Sequence, residues 1–274
     1  MLKFHIDNDA ELTVAGVEVP ISQASAFGVI GCDDRYQITT WEEKPRSPKP
    51  VPGKYDVSFV SMGVYIFNTD TLVRNAIADA KKKTSHHDFG KDVVPAMIKN
   101  NRVFVYNFRE ANNEAGRYWR DIGTIDAYWE ANMDLCSPDP QCNLYGDKWP
   151  IRTYQEQVPP AKIVMKLGVS SKRDGSRNCQ DTIISGGCVI YESTVKQCVL
   201  SPNVRVDPRS LVESSVLLDG VHVGAGARIR KAILDQGVEV PDGYSIGFDQ
   251  ERDASLFTVS PNGIVVVPRG MALR

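Results

Sequence analysis

From Val57 to Phe67 the chain reads VSFVSMGVYIF, a run of β-branched and aromatic residues that predicts a buried strand. Asn68 and Thr69 then offer caps to a helix through LVRNAIADAKKK. A second helix is expected after Asp88, where Val93, Val94, Met97 and Ile98 recur at helical spacing. RVFVYNF (102–108) reads as another strand. A third helix is expected from Thr124, with Ile125, Tyr128, Trp129 and Met133 on its apolar side. Strands alternating with helices are α/β grammar, and it holds to about residue 136. Residues 137–161 are proline-rich and aperiodic, and read as a linker.

Beyond the linker, from about residue 162 to 274, the pattern changes. Val199, Val216 and Ile233 are spaced by 17 residues, as are Val204, Val221 and Val238. Val206, Val223 and Val240 keep the same step, and so do Val212, Ile229 and Ile246. Ile183, Cys188 and Ile190 fit one turn earlier with one residue deleted. Gly, Asp, Pro, Ser and Asn fill the positions between, which are turn formers. Within a turn, pairs such as Val223 and Ile229 lie six apart. A period near 17 cut into blocks of about six predicts a three-sided coil with one short strand per side. This is a parallel β-helix of hexapeptide repeats over roughly residues 180–248. A β-sandwich is the competing architecture, but hairpin strands would not hold this register.

The hydrophobic fraction, 42%, is enough for a real core, and no apolar run is long enough to span a bilayer. A formal net charge of −2 gives no electrostatic reason to expect a nucleic-acid or membrane partner. MLKFHIDNDAEL has neither the apolar core nor the cleavage site of a secretory signal. None of the six cysteines forms a CxxC pair, so reduced, mostly buried thiols in a cytoplasmic protein are expected rather than zinc or a disulfide framework.

Several short motifs carry more specific information: SQASAFGVI (22–30), WEEKP (41–45), FVSMGVYIF (59–67), SHHDFGKD (85–92), YWRDIGT (118–124), YGDKWPIRTY (145–154) and SGGCVI (185–190). In this order, and followed by a hexapeptide coil, they resemble the bacterial ADP-glucose pyrophosphorylases, the glucose-1-phosphate adenylyltransferases. The resemblance implies a Rossmann-like nucleotidyltransferase domain, here truncated, followed by a coil that is left-handed in known hexapeptide proteins. It implies that Gly28 lies against glucose 1-phosphate. Glu43 would bind the sugar hydroxyls, Lys44 the phosphate, and Ser61 would line the sugar pocket. Asp121 would help hold a catalytic Mg²⁺, which makes Asp121 and Lys44 the catalytic candidates. ATP would be the second substrate, a homotetramer the assembly, and glycogen synthesis the pathway.

The chemistry of these residue types agrees. A sugar phosphate needs a fixed cation, and lysine supplies a compact one. Hexose hydroxyls need carboxylate and hydroxyl partners. Mg²⁺ takes few carboxylates together with phosphate oxygens. Plainer roles exist for each residue. Gly28 could serve a turn, Glu43 and Lys44 could be a solvated pair before Pro45, Ser61 a satisfied core hydroxyl and Asp121 a helix cap. Adjacent His86 and His87 point in different directions, which argues against a metal site there. Lys81 to Lys83 read as a solvated helix end.

The family's glycine-rich ATP loop, GGxGxRLxPLT, and its second Mg²⁺-binding aspartate do not occur in this sequence. The sugar-phosphate side of a cleft is therefore expected without the nucleotide side, together with a bare hydrophobic sheet edge. A non-catalytic regulatory or assembly subunit is the alternative. A hexapeptide acyltransferase is a further one, for which His222 is the coil's single histidine.

Overall fold

The computed structural model describes residues 1–108, 118–147, 150–152, 155–165 and 179–273. Part of the YGDKWPIRTY motif lies outside the described residues. The chain divides into two compact units, Met1–Trp119 and Arg120–Arg274, so the division falls inside the WRDIGT motif.

The first unit runs α1 (Leu2–Asp7), β1 (Leu12–Pro20), α2 (Ile21–Ala24), β2 (Gly28–Cys32), β3 (Ile38–Glu43), β4 (Val57–Phe67), α3 (Thr69–Ala80), a π turn (Phe89–Val93), α4 (Val94–Met97) and β5 (Val103–Asn107). The sheet order is β3-β2-β4-β1-β5. Only the β1–β5 pairing is parallel. β1 is an interior, buried strand: Leu12, Thr13 and Val14 are fully covered, and the core gathers on Leu12, Ile30, Phe59, Met97, Val103 and Val105.

Four local features differ from expectation. β4 has the predicted bounds, but only Ser58, Phe59 and Val60 are buried. The reason is that β2 pairs with β4 only at Val29–Val60 and Ile30–Phe59, leaving the rest of that edge uncovered. Asn68 stands at the start of α3 without capping it. Its amide instead meets His5 Nε2 at 3.1 Å and donates to the Ala10 carbonyl at 3.2 Å. The helix expected after Asp88 arrives as a π turn followed by short α4. Pro95 has no N–H to give to the Lys91 carbonyl, and the turn before it is wide. The edge expected to be bare is partly closed, because Val105 N–H donates to Tyr36 O at 2.9 Å and Gln37 bridges to Phe104.

The second unit is α5 (Ile125–Leu135) and the predicted parallel coil. Three parallel sheets form its sides. One stacks Val189–Tyr191, Arg205–Val206, His222–Val223 and Glu239–Val240. The next stacks Thr194–Lys196, Leu211–Glu213, Arg228–Arg230 and Ser245–Ile246. The third stacks Ile183–Ile184, Val199–Leu200, Val216–Leu217, Ala232–Leu234 and Val265–Val267. Each of the three corners turns through left-handed backbone: Gly187, Asn203, Gly220 and Gly237; Glu192, Arg209, Gly226 and Gly243; Asp181, Gln197, Ser214 and Lys231. A short helix α6 (Gln250–Leu256), capped by the Asp249 carboxylate, follows the last full turn.

The register agrees with the 17-residue columns, but one column faces the other way. Val204, Val206, Val212 and their equivalents fill the interior with Leu200, Leu217 and Leu234. Val199, Val216 and Ile233 stack as expected, yet on the outside, where Ile125, Tyr128, Trp129 and Met133 of α5 cover them. Strand residues alternate sides, so the adjacent leucines take the interior. Among the described residues no helix is long and apolar enough to cross a membrane.

Candidate functional site

In the first unit, β2 and β3 pair so that Gly28 and Glu43 are direct neighbours. The Glu43 carboxylate folds back over Gly28: a methyl there would come within 2.9 Å of Glu43 Oε2 and 3.2 Å of Trp41 Cζ2. The same carboxylate oxygen lies 3.4 Å from where a methyl on Gly90 would be. Glycine at both positions leaves room for the carboxylate between two stretches of backbone. The Trp41 indole N–H is buried there, with no hydrogen-bond partner among the described residues.

Lys44 follows Glu43 in left-handed backbone, φ +47°. A lysine in that region stores backbone strain, a trait concentrated at binding sites. Its N–H donates to Phe27 O at 3.0 Å, and the Phe27 ring lies 5.8 Å from that of Trp119. Among the described residues no carboxylate lies within ion-pair distance of its ammonium.

On β4, Ser61 Oγ accepts the Gly63 N–H at 3.2 Å, and Tyr65 follows four residues along the same strand. Burial pushes the Tyr65 phenol up. The Ser61 hydroxyl opposes this, and the Asp88 and Glu43 carboxylates add to it. The two carboxylates meet at Gly90: Asp88 Oδ1 and Glu43 Oε2 each lie 3.4 Å from where a methyl there would stand. Phe89, beside Asp88, stacks on Tyr65 with ring centroids 5.7 Å apart and planes at 27°. Gly28, Glu43 and Ser61, expected together from the motifs, thus stand with Tyr65, Asp88, Phe89 and Gly90. Sequence reading assigned no role to Tyr65, which looked like strand filling. It gave Asp88 only the start of a helix, although both lie in motifs that carried the resemblance.

Asp121 belongs to the second unit. Its carboxylate is exposed, and Oδ1 accepts the Gly123 N–H at 3.1 Å. It does not cap α5; Thr124 does, with Oγ1 accepting the Ala127 N–H at 3.1 Å. On the coil, His222 is committed to Asp207, Nε2 to Oδ2 at 2.8 Å. It borders a cavity of about 530 Å³ lined also by Glu239, Asp242, Met271 and Leu273, all residues of the second unit.

A cluster of two carboxylates, two hydroxyls and an aromatic face, with a lysine next in sequence, suits a polyhydroxylated ring that carries an anionic group. Residues 1–137 match the nucleotidyl transferase family, and residues 159–267 match the GlmU-like C-terminal hexapeptide family. The glucose-1-phosphate adenylyltransferase of Methylococcus capsulatus is 44% identical over 97% of this chain and 62% of its own length. That of Anaeromyxobacter sp. is 43% identical over 99% of this chain and 67% of its own. A Shewanella sp. (strain ANA-3) relative reaches 45% over 99% and 64%.

This chain belongs to the glucose-1-phosphate adenylyltransferase family. It spans about three fifths to two thirds of the length of these curated relatives. The family's architecture, a nucleotidyltransferase domain with a left-handed hexapeptide β-helix, is the one described above.

Proposed function

We propose that this chain forms the sugar-phosphate side of a glucose-1-phosphate adenylyltransferase, which makes ADP-glucose and pyrophosphate from ATP and glucose 1-phosphate for glycogen synthesis. The observation that carries this reading is the meeting of the Glu43 and Asp88 carboxylates at Gly90, with Glu43 also over Gly28, Phe89 stacked on Tyr65, and Lys44 following Glu43 in strained backbone. In this reading Glu43 and Asp88 accept hydrogen bonds from sugar hydroxyls. Ser61 and Tyr65 complete the polar wall, and Phe89 gives an apolar face. Lys44 pairs with the phosphate, fixing it as a nucleophile. A phosphate oxygen of glucose 1-phosphate attacks the α-phosphorus of ATP, and the bond to the leaving pyrophosphate breaks.

Mg²⁺ is implied by the family. A single exposed carboxylate, Asp121, with Oδ2 free of hydrogen bonds among the described residues, fits an ion that takes one or two carboxylates and otherwise phosphate oxygens. When bound, the ion would neutralise charge on the reacting phosphates. No residue of this chain is assigned to ATP, because the glycine-rich loop does not occur in its sequence. A cytoplasmic homotetramer built partly through the flat faces of the coil belongs to the same proposal.

The test is calorimetric titration with glucose 1-phosphate, glucose and inorganic phosphate. Lys44→Ala should weaken glucose 1-phosphate binding roughly 10- to 150-fold, the worth of a charge-assisted hydrogen bond, and leave glucose unaffected. Equal affinity of wild type, Lys44→Ala and Glu43→Gln for the sugar phosphate would sink the reading.

A further inference from the structure

The loop bearing Asp88 and Phe89 is held from behind by a buried carboxylate outside the pocket. Asp79, near the end of α3, is 4% exposed. Both its oxygens accept the Ser85 hydroxyl, at 2.8 and 2.9 Å, and Oδ2 accepts His87 Nδ1–H at 2.9 Å. Ser85 Oγ in turn accepts the His87 backbone N–H at 3.0 Å. The hydrogen bonds from His87 and Ser85 hold the Asp79 carboxyl below the usual carboxylate range. His87 itself sits in left-handed backbone, φ +59°, a conformation that costs a non-glycine residue energy unless its surroundings enforce it. The residue after that turn is Asp88.

Across the loop, Asp92 Oδ2 accepts the N–H groups of His86 and Asp88, at 3.1 and 3.3 Å, and Asp88 Oδ1 accepts the Lys91 N–H at 2.8 Å. Asp79 and Asp92 therefore grip the loop from opposite ends. They leave Phe89 against Tyr65 and Gly90 against Glu43. The Asp92 contacts, to the His86 and Asp88 N–H groups and to the His86 ring, stay within the loop itself. The Asp79 contacts tie it to α3.

We infer that Asp79, acting through Ser85 and His87, is a positioning residue for sugar-phosphate binding: it fixes the strained turn that aims Asp88 and Phe89 at Tyr65 and Glu43. The inference rests on the pocket reading above and deepens it. Asp79 touches no ligand. It selects the one loop conformation in which the second carboxylate and the aromatic face stand opposite Glu43.

The experiment compares His87→Ala, His87→Asn and Asp79→Ala, titrated with glucose 1-phosphate, with thermal melting and hydrogen exchange measured alongside. Asparagine keeps an amide N–H near the place of Nδ1, so it can still donate to Asp79. His87→Ala and Asp79→Ala should lose about tenfold in affinity, the equivalent of one well-placed hydrogen bond to the ligand. His87→Asn should recover most of that. Exchange across residues 84–92 should speed up in the alanine variants and be restored in His87→Asn, with β1 and β4 unchanged. Unaltered affinity in His87→Ala, or equal loss in both His87 variants, would overturn the inference while leaving the pocket intact. An absence of sugar-phosphate binding by the unaltered chain would instead remove the pocket reading, and this inference with it.

Discussion

The Trp129 indole N–H donates to the Ser214 carbonyl at 2.8 Å, tying helix α5 to a corner of the coil two residues before Val216. Ser214 is a left-handed corner residue. One hydrogen bond thus fixes the helix beside the outward column of Val199, Val216 and Ile233, and Lys231 sets its ammonium 5.9 Å from the centre of the same indole.

Because that column faces α5, a charge there should strip the helix from the coil before it unfolds the coil. Val216→Asp places an unpaired carboxylate at a position 1% exposed and should cost at least about 3 kcal/mol. Limited proteolysis should then cut within Ile125–Leu135 while the coil stays resistant. Trp129→Phe, which loses the indole bond and part of the ring's packing, should cost at least about 1 kcal/mol by urea unfolding.

Two glycines separate backbone strain from steric overlap. Gly226, φ +70°, has open space where a methyl would stand, so Gly226→Ala should cost only the left-handed penalty, about 1–2 kcal/mol. At Gly247, φ +82°, a methyl would overlap the backbone carbonyl of Arg230, which cannot rotate away. Gly247→Ala should therefore be clearly the more destabilised of the two in chemical unfolding.

Asp207 ties neighbouring turns of the coil. Burial pushes its carboxyl up, but hydrogen bonds from His222 and Arg205 outweigh that and hold it below the usual range. A depressed folded value means the stabilisation is present above the unfolded carboxylate value, about 3.9, and is lost as pH falls through the folded one. Asp207→Asn should lower the urea midpoint at pH 7, and the gap to wild type should shrink as pH drops below about 4. A gap that stays constant well below that pH would show that the charge is not the source.

The thiols should divide by burial. Burial pushes Cys198 up to about 12, and burial with the charges of Asp33 and Asp34 pushes Cys32 up to about 11. Since the thiolate is the nucleophile, iodoacetamide at mildly alkaline pH should leave both unmodified in the folded protein and label half-exposed Cys142 first. Mass spectrometry of the alkylated chain checks the order.

The coil was legible because its signal repeats. Four columns at one spacing over successive turns cannot be kept by a fold that pairs strands as hairpins. The first unit was less legible. β4 and β5 stood out as uninterrupted β-branched and aromatic runs. β1, an interior strand of the sheet, is broken by Gly16 and Glu18, and only pairing with β4 and β5 on its two sides buries it. Gly28, Glu43 and Ser61 could be placed together from their motifs, whereas Tyr65 could not. Its ring joins the site by stacking on Phe89, which the 85–92 loop brings to it across the fold.

The sequence by itself determined the period of the coil, the positions of its strands and the family of the chain, because these depend on spacing and on short contiguous motifs. Tertiary structure decided which side each column faces and what covers it. A spacing of 17 marks Val216 and Val221 alike, but only the three-dimensional path sends one outward under Trp129 and the other into the interior. It also decided that Asp79 anchors the turn that carries Asp88. Eight residues of sequence lie between those two carboxylates, and nothing in composition or spacing says that α3 would end where its last buried acid meets His87.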